Sequence, residues 1–213
     1  MVLLESVQEQ KRHTSLPPDY VQATAVEREA FLLEQGGKAW IASLTVEERE
    51  AIAYYCLVGY LEMNRALRLG EYVGIYGVRK ERDQTDRLIA LVQRSLLRVL
   101  APADQVLQRA VSDSRIQTYL DAQGTVIEER GFTSATIAEA EYAFGYLKAR
   151  IFVPSGSPGA YVEPLVRRAG RKEWEFLLPP GARFLVRRVY RDETGKYVEL
   201  DYLGTEIRKS DYE

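Results

Sequence analysis

Apolar positions repeat with two different periods along this chain, and the change falls near residue 104. After Thr45, the residues Ile52, Cys56, Gly59, Met63 and Leu67 recur every three or four positions, the spacing that aligns one face of a helix. Thr45 and Glu48 form a capping-box pair at the start of this run, and Gly70 is placed to stop it. A second helical stripe is predicted over about 82–100. Leu88, Leu91, Val92, Ser95, Leu96 and Val99 lie on one side of it, and Ala101-Pro102 ends it. Ahead of both, residues 19–35 fit a first helix stopped by Gly36-Gly37. Residues 1–18, ending in Leu16-Pro17-Pro18, read as an arm.

Beyond residue 104 the alternation is two-residue, the mark of strands with two unlike faces. It predicts extended segments at 106–111, 126–127, 132–136, 149–153, 160–162, 173–178, 183–190 and 197–202, with short helices at 116–123 and 137–148. The last two strands flank Asp192-Glu193-Thr194-Gly195, a hairpin turn. A helical half (about 19–103) that feeds a strand-rich half (about 104–213) is an α+β organisation, with helices packed on one side of a largely antiparallel sheet assembly. The 213 residues suit one domain over 19–213 behind the arm.

Charge and rare residues narrow the chemistry. The 29 Lys and Arg against 31 Asp and Glu give a net charge of −2, which argues against a non-specific nucleic-acid binder. No apolar run approaches the roughly 20 residues needed to cross a membrane. The first residues, MVLLESVQEQKRHT, are too charged for a signal peptide, so export needs another route or a longer parent chain. Cys56 is the single cysteine and His13 the single histidine. An internal disulfide and a zinc site of the usual His/Cys kind therefore both lack partners, and His13 reads as a solvated tail residue.

Three separated pieces of the strand-rich half carry polar residues that need a reason. Glu173 and Glu175 sit two apart on a predicted strand, so both face one way while Trp174, Phe176 and Leu178 face the other. Two nearby carboxylates can divide labour, because mutual repulsion and partial burial separate their pKa values. The bland alternative pairs them with Arg171 and Lys172 at a soluble strand end. Arg109 shares a strand face with Leu107 and Val111, a place that suits a guanidinium meeting a phosphate and equally one that is solvated or paired with an acid. Ser134 and Thr136 present hydroxyls on one face, although Thr136 also fits a cap for a helix opening at Ile137. On the first long helix, Tyr60, Asn64 and Arg68 lie on one face at four-residue spacing.

The order of these pieces is more specific than any one of them. Arginine on a strand, then Phe132-x-Ser134-x-Thr136, then Glu173-x-Glu175-Phe-Leu-Leu-Pro179, resembles the arginine–serine–glutamate pattern of mono-ADP-ribosyltransferases. The similarity is to the bacterial exotoxin and effector branch related to clostridial binary toxins, and it runs from about Trp40 to Tyr202. Residues 51–68 resemble that family's NAD-facing helix. Gly156-Ser-Pro-Gly-Ala-Tyr-Val162, after Ile151-Phe-Val-Pro154, resembles its glycine-containing approach to a strand.

The resemblance implies an ADP-ribosyltransferase-like fold, with N-terminal helices on a two-sheet, mainly antiparallel core around an NAD cleft. It implies NAD as substrate, no metal, and transfer of ADP-ribose to a target protein in a host or competitor cell, with release of nicotinamide. It also implies delivery into that cell, action in its cytoplasm, no nucleic-acid or membrane partner, and an inhibitory partner protein as a further expectation. By motif, Arg109 holds the diphosphate or ribose side of NAD. Ser134 hydrogen-bonds Glu175, the catalytic glutamate, which binds the nicotinamide ribose and stabilises its oxocarbenium ion. Glu173 steers and deprotonates the nucleophile, and an acid at this position goes with arginine as acceptor. Thr136, Tyr60, Asn64 and Arg68 join the NAD-binding set. A sister class built on histidine is excluded, since no histidine lies outside the arm. The chain departs from the family at Ala135, at Ala110 and at Gly170, where an aromatic residue is common before the two glutamates. An NAD glycohydrolase would use the same residues with water as acceptor. A binding or structural module on the same fold would have no need of them.

Overall fold

The computed structural model describes residues 23–139, 146–166, 170, 172–193 and 195–206. The predicted arm, with His13, lies outside the described residues, as do residues 19–22 of the predicted first helix.

The helical half follows its caps. Helix α1, Ala25–Leu32, opens on a capping box in which Thr24 and Glu27 each bind the other's backbone N–H. The chain then kinks over Leu33–Gly37, where Gly36 adopts φ 115°, and resumes as α2, Lys38–Ser43. The predicted first long helix forms as α3, Val46–Tyr54, and α4, Tyr60–Leu69. Between them the helix widens by one residue per turn over Tyr55–Gly59, a device that re-aims side chains without ending a helix. A Cβ at Gly59 would lie 2.5 Å from the Tyr54 ring, so the widened turn needs glycine there. Gly70 closes α4 in the left-handed conformation at φ 69°. Helix α5, Arg82–Leu97, crosses behind and ends three residues before the predicted stop.

The strand-rich half contains β1 (Gln105–Ser112), the short helix α6 (Ile116–Asp121), β2 (Val126–Glu129), β3 (Thr133–Thr136), β4 (Tyr146–Val153), β5 (Ala160–Tyr161), β6 (Glu175–Leu178), β7 (Ala182–Asp192) and β8 (Gly195–Thr205). Their hydrogen-bonded order is β2-β7-β8-β4-β1-β3-β6-β5. Only β4 and β8 run parallel; every other neighbouring pair is antiparallel. β1 and β3 meet at the single register pair Gln108↔Thr136, so the ladder narrows there. The two sheets expected are thus joined into one eight-stranded sheet, with a five-stranded blade (β2, β7, β8, β4, β1) and a three-stranded blade (β3, β6, β5) on either side of that narrow junction.

Two predicted elements come out differently. The short helix expected over 137–148 yields at its far end to β4, because Tyr146 to Lys148 pair with β1 and, from Leu147, with β8. Residues 137–139 are irregular, and 140–145 lie outside the described residues. The strand expected to begin at residue 173 begins at Glu175, because Trp174 holds φ 55°, which breaks the extended alternation.

One apolar cluster lies between the blades and includes Leu107, Val111, Ala135, Ile151, Phe176 and Leu178. A second joins the helices to the three-stranded blade through Ile52, Tyr55, Met63, Val92, Phe132 and Leu177. Alternation along β6 therefore turns Phe176 and Leu178 into the inter-blade core, and Leu177, with Glu175, toward α3 and α4. That places one carboxylate under the widened helical turn.

Candidate active site

Glu175 is the first residue of β6 and only 4% exposed. Its position is fixed at three points. Its carboxylate accepts a 2.6 Å hydrogen bond from the Ser134 hydroxyl. Its backbone N–H donates to the buried carboxylate of Glu163 at 3.2 Å, and its C=O accepts from Val162 N–H at 2.9 Å. Ser134 stands on β3, opposite Leu177 and one step diagonally from Glu175, while Thr136 is directly opposite Glu175. Ala135 points into the inter-blade core, so its departure from the family pattern does not reach the Ser134–Glu175 pair. Thr136 accepts from Ala138 N–H at 3.1 Å, the local turn that its capping reading expected, although no helix follows in the described residues.

Helices α3 and α4 bring tyrosine and amide groups onto the same spot. The buried Tyr55 ring packs edge-on against Phe132, with centroids 4.9 Å apart. Its hydroxyl accepts from the Asn64 amide at 3.1 Å. Burial is the largest influence on that phenol and pushes its pKa upward; the Asn64 bond and the Arg109 charge pull it back, and Glu175 raises it further. Tyr55 is thus neutral at physiological pH and within electrostatic reach of both Arg109 and Glu175. Asn64 also accepts from Phe132 N–H at 2.8 Å. Arg68 pairs with Glu129 at 2.7 Å, and Glu129 in turn accepts from Gly131 N–H. A Cβ at Gly131 would stand 2.6 Å from the Asn64 oxygen and 3.0 Å from Arg68 Nε. The backbone between β2 and β3 therefore lies flat against α4, and only glycine permits that approach.

Arg109 sits half-buried on β1 and opens into a cavity of about 370 Å³ whose walls include Thr133, Glu129, Tyr119, Ser112 and Phe184. The Thr133 hydroxyl there is buried without a hydrogen-bond partner. Tyr60 is 43% exposed. Glu173 is also exposed and lies before the strand, so the shared-face argument for the two glutamates does not hold: Trp174, with its left-handed φ, stands between them. Trp174 itself packs against the inter-blade core, on the side opposite Glu175. Of the basic run before Glu173, Gly170 adopts φ 128° and Lys172 is described, whereas 167–169 and Arg171 lie outside the described residues.

The residues singled out from sequence thus fall into three groups. Ser134 and Glu175 touch, with Thr136 beside them. Asn64 and Arg68 hold the β2–β3 connection against α4. Arg109 lines the cavity beside Glu129 and Thr133, apart from the Ser134–Glu175 contact, while Tyr60 and Glu173 are exposed and join none of these groups. Sequence reasoning missed Glu163 and Glu129, whose carboxylates fix backbone N–H groups. It also did not single out Tyr55 from Tyr54 and Tyr60. The helical spacing already put Tyr55 between Ile52 and Gly59, and only the widened turn decides which of the three tyrosines enters the site. Among the described residues no group of His, Cys, Asp and Glu has the arrangement of a metal site, and no helix is long and apolar enough to cross a membrane.

This arrangement of helices and two blades recurs in solved structures. Plx2a, an ADP-ribosyltransferase toxin from Paenibacillus larvae, superposes with TM-score 0.69 at 18% identity, over 84% of this chain and 96% of that one. The Clostridium limosum C3 exoenzyme matches with TM-score 0.70 at 16% identity, over 86% and 98%. BECa, the ADP-ribosylating toxin of a binary enterotoxin of C. perfringens, solved with NADH, matches with TM-score 0.71 at 19% identity, over 84% of this chain and 48% of its own. The class is therefore that of the ADP-ribosylating toxin fold. The family model described as ADP-ribosyltransferase exoenzyme matches residues 34–206, and this chain belongs to that family. A comparison with curated proteins finds no match.

Proposed function

We propose that this protein cleaves NAD and transfers ADP-ribose to an arginine of a target protein in the cell it enters. The observation that carries the reading is the Ser134–Glu175 contact at 2.6 Å, close to Tyr55, whose phenol feels the charges of both Glu175 and Arg109. Nicotinamide leaves as a neutral ring when its bond to C1′ of the ribose breaks, taking the bonding electrons. It needs no proton. What the reaction needs is negative charge held beside the sugar cation in a preorganised, partly dry site. A carboxylate fixed at side chain, N–H and C=O supplies it without reorganising.

Arg109 is assigned to the diphosphate side, where its planar fork and the unpartnered Thr133 hydroxyl line one cavity. Tyr60 and Thr136 are assigned to NAD by the family motif, and Asn64 and Arg68 are assigned to shape the cleft by holding Gly131 in place. The acceptor guanidinium attacks C1′ with a nitrogen lone pair and must lose a proton. Glu173, exposed before the strand, is the base assigned to take it. The same exposure favours a second outcome, capture of the cation by water.

Labelled NAD incubated with the protein and a cell lysate tests the reading. A labelled protein band, together with labelled agmatine when that guanidine is added, is the expected result. Free ADP-ribose without any labelled acceptor makes the protein a glycohydrolase, and unchanged NAD removes the catalytic assignment.

A further inference from the structure

Glu173 lies between two residues that are both held by helix α1, and the family motif does not include that helix. Glu29 of α1 accepts from Lys172 Nζ at 3.1 and 3.2 Å and from the Tyr161 hydroxyl at 2.9 Å. Lys172 Nζ stands 4.8 Å from the centre of the Trp174 ring. On the other side, Arg28 donates to the carbonyls of Ile137 and Val106, and Ile137 N–H donates to the Trp174 carbonyl at 3.0 Å. One helical turn therefore grips Trp174 twice, through its ring and through its backbone. Trp174 carries φ 55°, a conformation that a bulky side chain holds only when its surroundings impose it. Tyr161 is buried on β5, so Glu29 is itself anchored to the blade that holds Glu175.

We propose that Glu29 is a positioning residue for the acceptor side of the site. Through Lys172 it sets the left-handed turn at Trp174 and with it the direction of Glu173, while Glu175 is held independently by Ser134, Glu163 and Val162. The inference rests on the transferase reading for its catalytic consequence and on geometry alone for its structural one. Loss of the latch loosens the segment before β6 and weakens use of the acceptor. NAD cleavage, which needs Glu175, continues.

The test compares the full-length protein with Glu29→Gln, Glu29→Lys and the exchanged pair Glu29→Lys with Lys172→Glu. Amide exchange over residues 172–175 is expected to speed about ten-fold in Glu29→Lys, as for a segment that opens locally. The agmatine KM is expected to rise about five-fold, the worth of a half-exposed ion pair, with NAD hydrolysis within two-fold of the parent. Glu29→Gln, which keeps the Tyr161 bond, should show the same split at smaller amplitude, and the exchanged pair should recover most of the loss. Unchanged amide exchange in Glu29→Lys overturns the proposal. So does a fall of hydrolysis in step with transfer, which would make Glu29 a support of the whole fold, or an exchanged pair no better than the single variant. A parent protein that leaves NAD intact defeats the transferase reading instead, and the amide-exchange comparison then decides the latch by itself.

Discussion

The two glutamates of the motif stand two residues apart and live under opposite conditions. Glu175 is buried inside a ladder, with its side chain held by Ser134 on β3 and its N–H and C=O held by the adjacent Glu163 and Val162 just beyond β5. Glu173 is exposed, precedes the ladder, and is aimed by a left-handed turn rather than by strand pairing. A group that must face a short-lived cation gains from being fixed and dry, since charge already in place needs no reorganisation. A group that must meet a separate protein gains from being reachable. The strand edge at residue 175 is where the structure passes from one requirement to the other.

The largest expected effect separates the pair at once. Glu175→Gln keeps the shape and removes the charge, so transfer and NAD hydrolysis should both fall by on the order of 100-fold or more, with an unchanged thermal melt. Activity within a few-fold of the parent would reassign the site.

Glu173→Gln should divide the two reactions. Transfer to agmatine is expected to drop by about ten-fold or more, the low end of a general-base contribution, while most of the hydrolysis remains. Equal losses would mean that Glu173 supports the site as a whole. Modification of a non-arginine residue by the parent protein would remove the arginine assignment.

Ser134→Ala leaves the Glu175 carboxylate in place and takes away one charge-assisted bond. About ten-fold slower NAD hydrolysis corresponds to the usual worth of a bond to a charged group, and a rate equal to the parent would make the 2.6 Å contact incidental to catalysis. The smallest effect on chemistry belongs to the scaffold. Gly131→Ala forces a Cβ against Asn64 and Arg68 and should cost about 1–3 kcal/mol of stability, the range for overpacking, with only a few-fold weaker NAD binding. Unaltered stability in denaturant titration would show that α4 and the β2–β3 connection have slack that the close approach conceals.

Much of this protein was legible before any coordinates. The capping boxes at Thr45 and the stripe from Ile52 to Leu67 depend on contacts within a few residues, and they form where local rules put them. Two-residue alternation located the eight described strands, and the same parity sent Ala135 into the core. Local rules failed where distant chain segments compete. Tyr146 to Lys148 become strand because β1 and β8 offer them a ladder. The alternation argument broke at Trp174 because its backbone angle is imposed by Ile137 and by α1, residues far away in sequence.

The sequence by itself determined the helix-then-strand organisation, the pairing of Ser134 with Glu175 as candidates, and the family to which their order points. Only the tertiary structure decided that Tyr55 rather than Tyr60 sits buried beside them, that Glu163 holds the backbone of Glu175, and that Glu173 stands apart on a segment gripped by the first helix. The physical reason is one of range. Periodicity and caps record interactions between near neighbours in the chain. The direction of a buried hydroxyl, or a left-handed tryptophan, is settled by partners that only folding brings together.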